Sequence, residues 1–150
     1  MKCRVGHSFI KAQMRTENAA FAGELSGHFY FRDNFFTDSG ILTAIWLLKL
    51  LSSTGKPLSE LVKPLKKYHA TGELNLEVAD KQAAMEKLET VYKDANIAHL
   101  DGVTIEHNDW WCNVRASNTE SLLRLNLEAN TKKLMDAKKR EVLKILNGKD

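Results

Sequence analysis

WWCNVRASNTESLLRLNLEA, residues 110–129, is the stretch on which the fold turns. WWCNVRA (110–116) and LLRLNLEA (122–129) both read as β-strands, and the small polar residues between them read as the turn of a hairpin. Trp110 and Trp111 are adjacent, so in a strand one points inward and the other outward. The turn carries an arginine, two hydroxyls and an amide side by side: Arg115, Ser117, Asn118 and Thr119.

The pattern extends in both directions. Upstream, VTIEH (103–107) alternates and is bounded by the turn signals DG at 101–102 and ND at 108–109. Before it, ELNLEV (73–78) places Leu74, Leu76 and Val78 on one face. Between these runs Asp80 caps a helix with a stripe of Ala84, Met85, Leu88, Val91, Tyr92 and Ala95. Downstream, Asn130 or Thr131 caps a helix through Leu134, Met135, Val142, Ile145 and Leu146, ending before Gly148. The order β-α-β-β-β-α predicts an α+β domain over residues 68–150. Its expected form is a four-stranded antiparallel sheet with two helices on one face.

Residues 1–55 read differently. GHSFIKAQM suggests a short helix, and NAAFAGE (18–24) and HFYFRD (28–33) suggest two strands around the polar loop ELSG. Phe21, Phe29, Tyr30, Phe31, Phe35 and Phe36 crowd this segment and call for a partner surface. In DSGILTAIWLLKLLSSTG, Asp38 or Ser39 caps a helix that Gly55 ends. Its apolar residues lie on nearly every side, as in a helix covered by another domain. Pro57 opens a shorter helix, and residues 56–67 read as a connection, with a boundary within PLKKYHATG (64–72).

Composition narrows the function classes. The chain has 150 residues, net charge +3 and 43% hydrophobic residues, enough for a core without a strongly basic face. The densest basic cluster, Lys132, Lys133, Lys138, Lys139 and Arg140, is interrupted by Asp136 and followed by Glu141. It reads as a solvated helix face, and no nucleic-acid partner is expected. ILTAIWLLKLL (41–51) is too short for a membrane span and contains Lys49. Cys3 and Cys112 make neither a disulfide framework nor a metal site, so a reducing, cytoplasmic setting is expected. His7, His69, His99 and His107 lack metal-ligand spacing.

Two loops carry chemistry. Arg115 offers a planar fork of donors suited to phosphate, Ser117 and Thr119 add hydroxyls, and Asn118 adds an amide. Backbone N–H groups of such a turn can form an anion-binding concavity. In GELSGH (23–28) the Glu24 carboxylate accepts two hydrogen bonds at once, as a sugar diol requires. Ser26 and His28 add donors, and the glycines allow close approach. On composition alone, an ordinary exposed hairpin turn and a side-chain-capped tight loop remain the plainer readings.

VGHSFIKAQM, NAAFAGELSGH, DSGI and VRASNTESLLRLNLEA, in this order and spacing, resemble the C-terminal portion of the α-D-phosphohexomutase family, in its bacterial phosphomannomutase/phosphoglucomutase branch. The resemblance runs from Val5 to Ala129. It implies the tail of a third, α/β domain over residues 1–55 and a fourth, TATA-box-binding-protein-like domain over 68–150. It implies reversible transfer of phosphate between O1 and O6 of a hexose through a bisphosphate, with a phosphoserine and Mg²⁺ in preceding domains around a cleft. It further implies Glu24, Ser26 and His28 on the sugar, His7 bordering the cleft, and Arg115, Ser117, Asn118 and Thr119 on phosphate. Neither the phosphoserine loop nor the Asp-rich metal loop of the family is recognisable in these residues, so no catalytic residue and no metal ligand is expected here. The partners expected are a hexose phosphate and the missing N-terminal domains of the same polypeptide. The chain alone is expected to be inactive, a fragment of the enzyme or a non-catalytic phosphosugar-binding module derived from it. Ser121 stands where the family usually has proline, and DSGI where it has DDGI.

Overall fold

The computed structural model describes residues 1–117 and 120–148. The chain divides after Leu65 into two compact units.

In the first unit, α1 (His7–Thr16) packs on a small antiparallel sheet of β1 (Phe21–Gly23), β2 (Phe29–Phe31) and β3 (Thr37–Asp38), in that order. Ile10 and Met14 of α1 meet Tyr30 of β2 in a core joined by Ala22 and Phe36. Only Tyr30 among the clustered aromatics is buried. Phe21 is half exposed, stacked on Phe29 at 5.9 Å and tilted against Phe31 at 5.4 Å.

Helix α2 (Gly40–Thr54) starts where expected. Ser39 is the N-cap, its Oγ accepting from Leu42 N–H at 3.2 Å, and Gly55 closes it with φ +63°. No residue of α2 is buried: Ile41, Ile45, Trp46, Leu48 and Leu50 all face solvent. α3 (Leu58–Val62) follows Pro57, and a short 3-10 turn spans Lys63–Leu65.

The second unit is a sheet with two helices on one face. Its elements are β4 (His69–Ala70), β5 (Leu74–Leu76), α4 (Lys81–Val91), β6 (Asn96–Ala98), β7 (Val103–Glu106), β8 (Trp110–Ala116), β9 (Leu123–Ala129) and α5 (Lys132–Leu146). The sheet order is β4-β9-β8-β7-β6, with β5 also on β9, and every pairing is antiparallel. The expected four strands are therefore six. β6 and β4 are three and two residues long, too short to show alternation, and both exist through pairing with a longer neighbour.

Alternation sorts the sheet into two faces. Ile105, Cys112, Val114, Leu123, Leu125 and Leu127 point toward the helices and are fully or almost fully buried. Leu88 and Tyr92 of α4 and Met135, Val142 and Leu146 of α5 complete this core. Val91, expected in the stripe of α4, is instead half exposed at the helix end, where the chain turns away. Asp80 caps α4 through Ala83 N–H at 3.0 Å, and Thr131 rather than Asn130 caps α5 through Leu134 N–H at 3.2 Å. Burial pushes the Cys112 thiol up to about 12.

Candidate functional site

Glu24, Ser26 and His28, the residues expected on a sugar, lie at the tip of the β1–β2 hairpin. Glu24 N–H donates to His28 C=O at 2.9 Å, and Gly27 N–H to Glu24 C=O at 3.0 Å. Gly27 has φ +85°, the left-handed region that closes this turn without a Cβ penalty. The turn collects three side chains. Ser26 Oγ lies 3.2 Å from Glu24 Oε2 and 2.9 Å from His28 Nδ1. Tyr30 donates its hydroxyl to Glu24 Oε1 from beneath. Burial, and then this bond to a carboxylate, hold the Tyr30 phenol well above its usual range, so it stays a donor. The loop thus presents one carboxylate, one hydroxyl and one imidazole to solvent, with the carboxylate fixed from the core side. That set can pair with adjacent hydroxyls of a polyol. His7 opens α1 and is exposed, and no hydrogen bond joins it to this trio among the described residues.

The second group stands on the face of the large sheet away from the helices. Arg115, in β8, is 9% exposed, unlike an ordinary surface arginine. Directly opposite it in β9 stands Arg124. Two cations facing each other across strands repel. Glu73, just before β5, lies against both: Oε2 is 3.3 Å from Arg115 Nη2 and Oε1 is 3.3 Å from Arg124 Nη1. Arg124 Nη2 also meets Glu120 Oε2 at 3.2 Å. Arg124 Nε is buried and has no hydrogen-bond partner among the described residues. Ser117 N–H donates to Leu122 C=O at 2.9 Å, and Ser117 Oγ accepts from Glu120 N–H at 3.3 Å, so the base of the turn is closed. Asn118 and Thr119, expected on phosphate, lie outside the described residues.

Gly102 has φ +69° and crosses β8 at Arg115. A Cβ there would stand 2.3 Å from Val114 O and 2.7 Å from Arg115 Cα. Asn113 ties the same turn down, donating to Asp101 C=O at 2.8 Å and to Thr104 Oγ1 at 3.0 Å. The arginine pair therefore rests on a backbone held from two sides. Arg124, Glu73 and Glu120 were not expected from the sequence. The readable signal for Arg124 was its place opposite Arg115 once the hairpin register is drawn; Glu73 offered none.

Among the described residues, no group of three or more His, Cys, Asp or Glu is placed to hold a metal ion, and no helix is long and apolar enough to cross a membrane.

Residues 1–68 match the family described as phosphoglucomutase/phosphomannomutase, alpha/beta/alpha domain III, and residues 73–145 match its C-terminal domain. A phosphomannomutase of Methanocaldococcus jannaschii is 44% identical over 146 residues, covering 97% of this chain and 32% of that protein. Phosphohexose mutases of Xanthomonas campestris are 37% identical over 150 residues, covering 97% and 34%. An X-ray structure of a phosphoglucomutase/phosphomannomutase family protein from Burkholderia thailandensis superimposes with a TM-score of 0.80 at 31% identity, covering 96% of this chain and 32% of that one. The chain thus spans about a third of the length of the relatives it matches. With both family domains accounted for in order along its length, the chain belongs to the phosphoglucomutase/phosphomannomutase family.

Proposed function

We propose that this chain supplies the sugar-binding and phosphate-binding loops of a phosphohexomutase, an isomerase that moves phosphate between O1 and O6 of a hexose through a bisphosphate. The observation that carries the reading is the Arg115–Arg124 pair beside Ser117, with the buried Arg124 Nε lacking a hydrogen-bond partner among the described residues. Guanidinium forks match phosphate bidentately, and two of them side by side suit a dianion. Ser117 follows Arg115 by two residues at the end of β8, and the resemblance adds Asn118 and Thr119.

Each loop has a separate task. Arg115, Arg124 and the turn hold the phosphate that is not reacting. Glu24, Ser26 and His28 take the ring hydroxyls, and a carboxylate that accepts from two adjacent hydroxyls can serve the ring in either orientation. Phosphoryl transfer depends on positioning and charge stabilisation, so binding remote from the reacting bond lowers its barrier. The family relies on Mg²⁺, an ion that no cluster of His, Cys, Asp or Glu among the described residues is placed to hold. In our reading the chain by itself binds phosphosugars without turning them over.

Titration with glucose 1-phosphate, mannose 1-phosphate and inorganic phosphate tests this, followed by amide shifts at residues 115–120 and 24–28. Saturable shifts at the first group with all three, and at the second with the sugars only, are expected. Robust mutase turnover by the purified chain, or phosphate binding that Arg115→Ala leaves intact, refutes it.

A further inference from the structure

We infer that Glu73 is the positioning residue of the phosphate site, placed there by a β-bulge. The inference rests on the reading of Arg115 and Arg124 as phosphate-binding groups. Its geometric basis is the register of the edge strands. Ala70 of β4 faces Glu128 of β9, whereas Leu74 of β5 faces Leu125. Four residue steps on one strand therefore match three on the other, which defines a one-residue bulge at 71–73.

The bulge is built by two residues. Gly72 adopts φ +69°. Thr71 replaces the ladder there: its N–H donates to Leu127 C=O at 2.9 Å, and its Oγ1 accepts from Leu127 N–H at 3.2 Å. The consequence follows from the two-residue period of a strand. Continuing the β4 register would put residue 73 opposite Leu125, on the buried helix-side face. The extra residue sends Leu74 to that face instead and turns Glu73 onto the polar face, against both arginines.

A carboxylate in this position does what no neutral group can. It accepts a hydrogen bond from Arg115 Nη2, forms an ion pair with Arg124 Nη1 at 3.3 Å, and so offsets their mutual repulsion and restrains both side chains. It leaves Arg124 Nε free of hydrogen bonds to the described residues. Glu120, half exposed, takes Arg124 Nη2 at 3.2 Å.

The sign of one substitution separates positioning from plain electrostatics. Glu73→Gln keeps the shape but removes a negative charge beside an anion site, so charge alone predicts tighter phosphate binding. Positioning predicts the reverse: inorganic phosphate affinity about tenfold weaker, with Glu73→Asp also weakened because the shorter acid cannot reach both arginines. The arginine Nη–H signals in NMR report the clamp directly. They are expected to be held apart by hindered rotation in the wild-type chain and merged in Glu73→Gln. A purely structural role would lower the unfolding midpoint without moving the phosphate affinity of the folded protein. Wild-type-like or tighter binding by Glu73→Gln, or full affinity in Glu73→Asp, overturns the inference alone. Absence of saturable phosphate binding by the wild-type chain overturns the phosphate reading and this inference with it.

Discussion

Gly102→Ala perturbs the base of the proposed phosphate site through backbone alone, and its cost divides into two parts that a second glycine separates. Gly102 and Gly72 share φ +69°. At Gly72 an added Cβ meets nothing within 4 Å, so Gly72→Ala measures the left-handed backbone penalty, about 1 kcal/mol. At Gly102 the same Cβ stands 2.3 Å from Val114 O and 2.7 Å from Arg115 Cα and Cβ. These are backbone atoms and the first side-chain carbon of a central strand, and none can swing aside. Overpacking of this kind adds about 2 kcal/mol, for a total near 3 kcal/mol. Guanidinium unfolding resolves the two, since an m-value near 2 kcal/mol/M gives midpoint shifts of about 0.5 M for Gly72→Ala and about 1.5 M for Gly102→Ala. Fluorescence of Trp110 and Trp111 in a Trp46→Phe background confines the signal to the unit concerned, because Trp46 belongs to the other. Because the collision falls on Arg115, phosphate affinity is expected to drop in Gly102→Ala as well. Equal midpoints for the two variants would refute the reasoning, since only the close contact distinguishes them.

Cys112 is fully buried with its thiol pushed up to about 12, so it is expected to resist a disulfide reagent at pH 8 until denaturant unfolds the domain, whereas Cys3 reacts earlier; mass spectrometry of the labelled sites checks this. Burial would raise the Glu141 carboxyl, but the hydrogen bonds from Lys138 and Tyr92 outweigh it and hold the group below its usual range. Its stabilising contribution is present above the unfolded carboxylate value and lost as pH falls through the depressed folded one. Unfolding midpoints measured from pH 6 down to pH 3 should therefore fall more steeply for the wild type than for Glu141→Gln. Ile45 and Leu48 of α2 are 54% and 64% exposed, and replacing both with lysine is expected to reduce concentration-dependent association in sedimentation without lowering helix content.

Most of the elements were legible in the sequence because they rest on local rules. Alternation marked β7, β8 and β9, and short polar side chains marked the starts of α2, α4 and α5. The resemblance to phosphohexomutases likewise depended on residues close together in the chain. Composition made Arg115 a plausible surface arginine, and there the local rules stopped. Its backbone is packed against Gly102, and its partners come from register: Arg124 across the hairpin and Glu73 from an edge strand 42 residues away. No spacing in the sequence announces a contact set by which residues of distant strands face each other. The bulge at Thr71–Gly72 is the sharpest case. A single extra residue there reverses the faces of the strand, so the sequence supplied Glu73 but only the tertiary pairing decided that it meets the arginines and not the core.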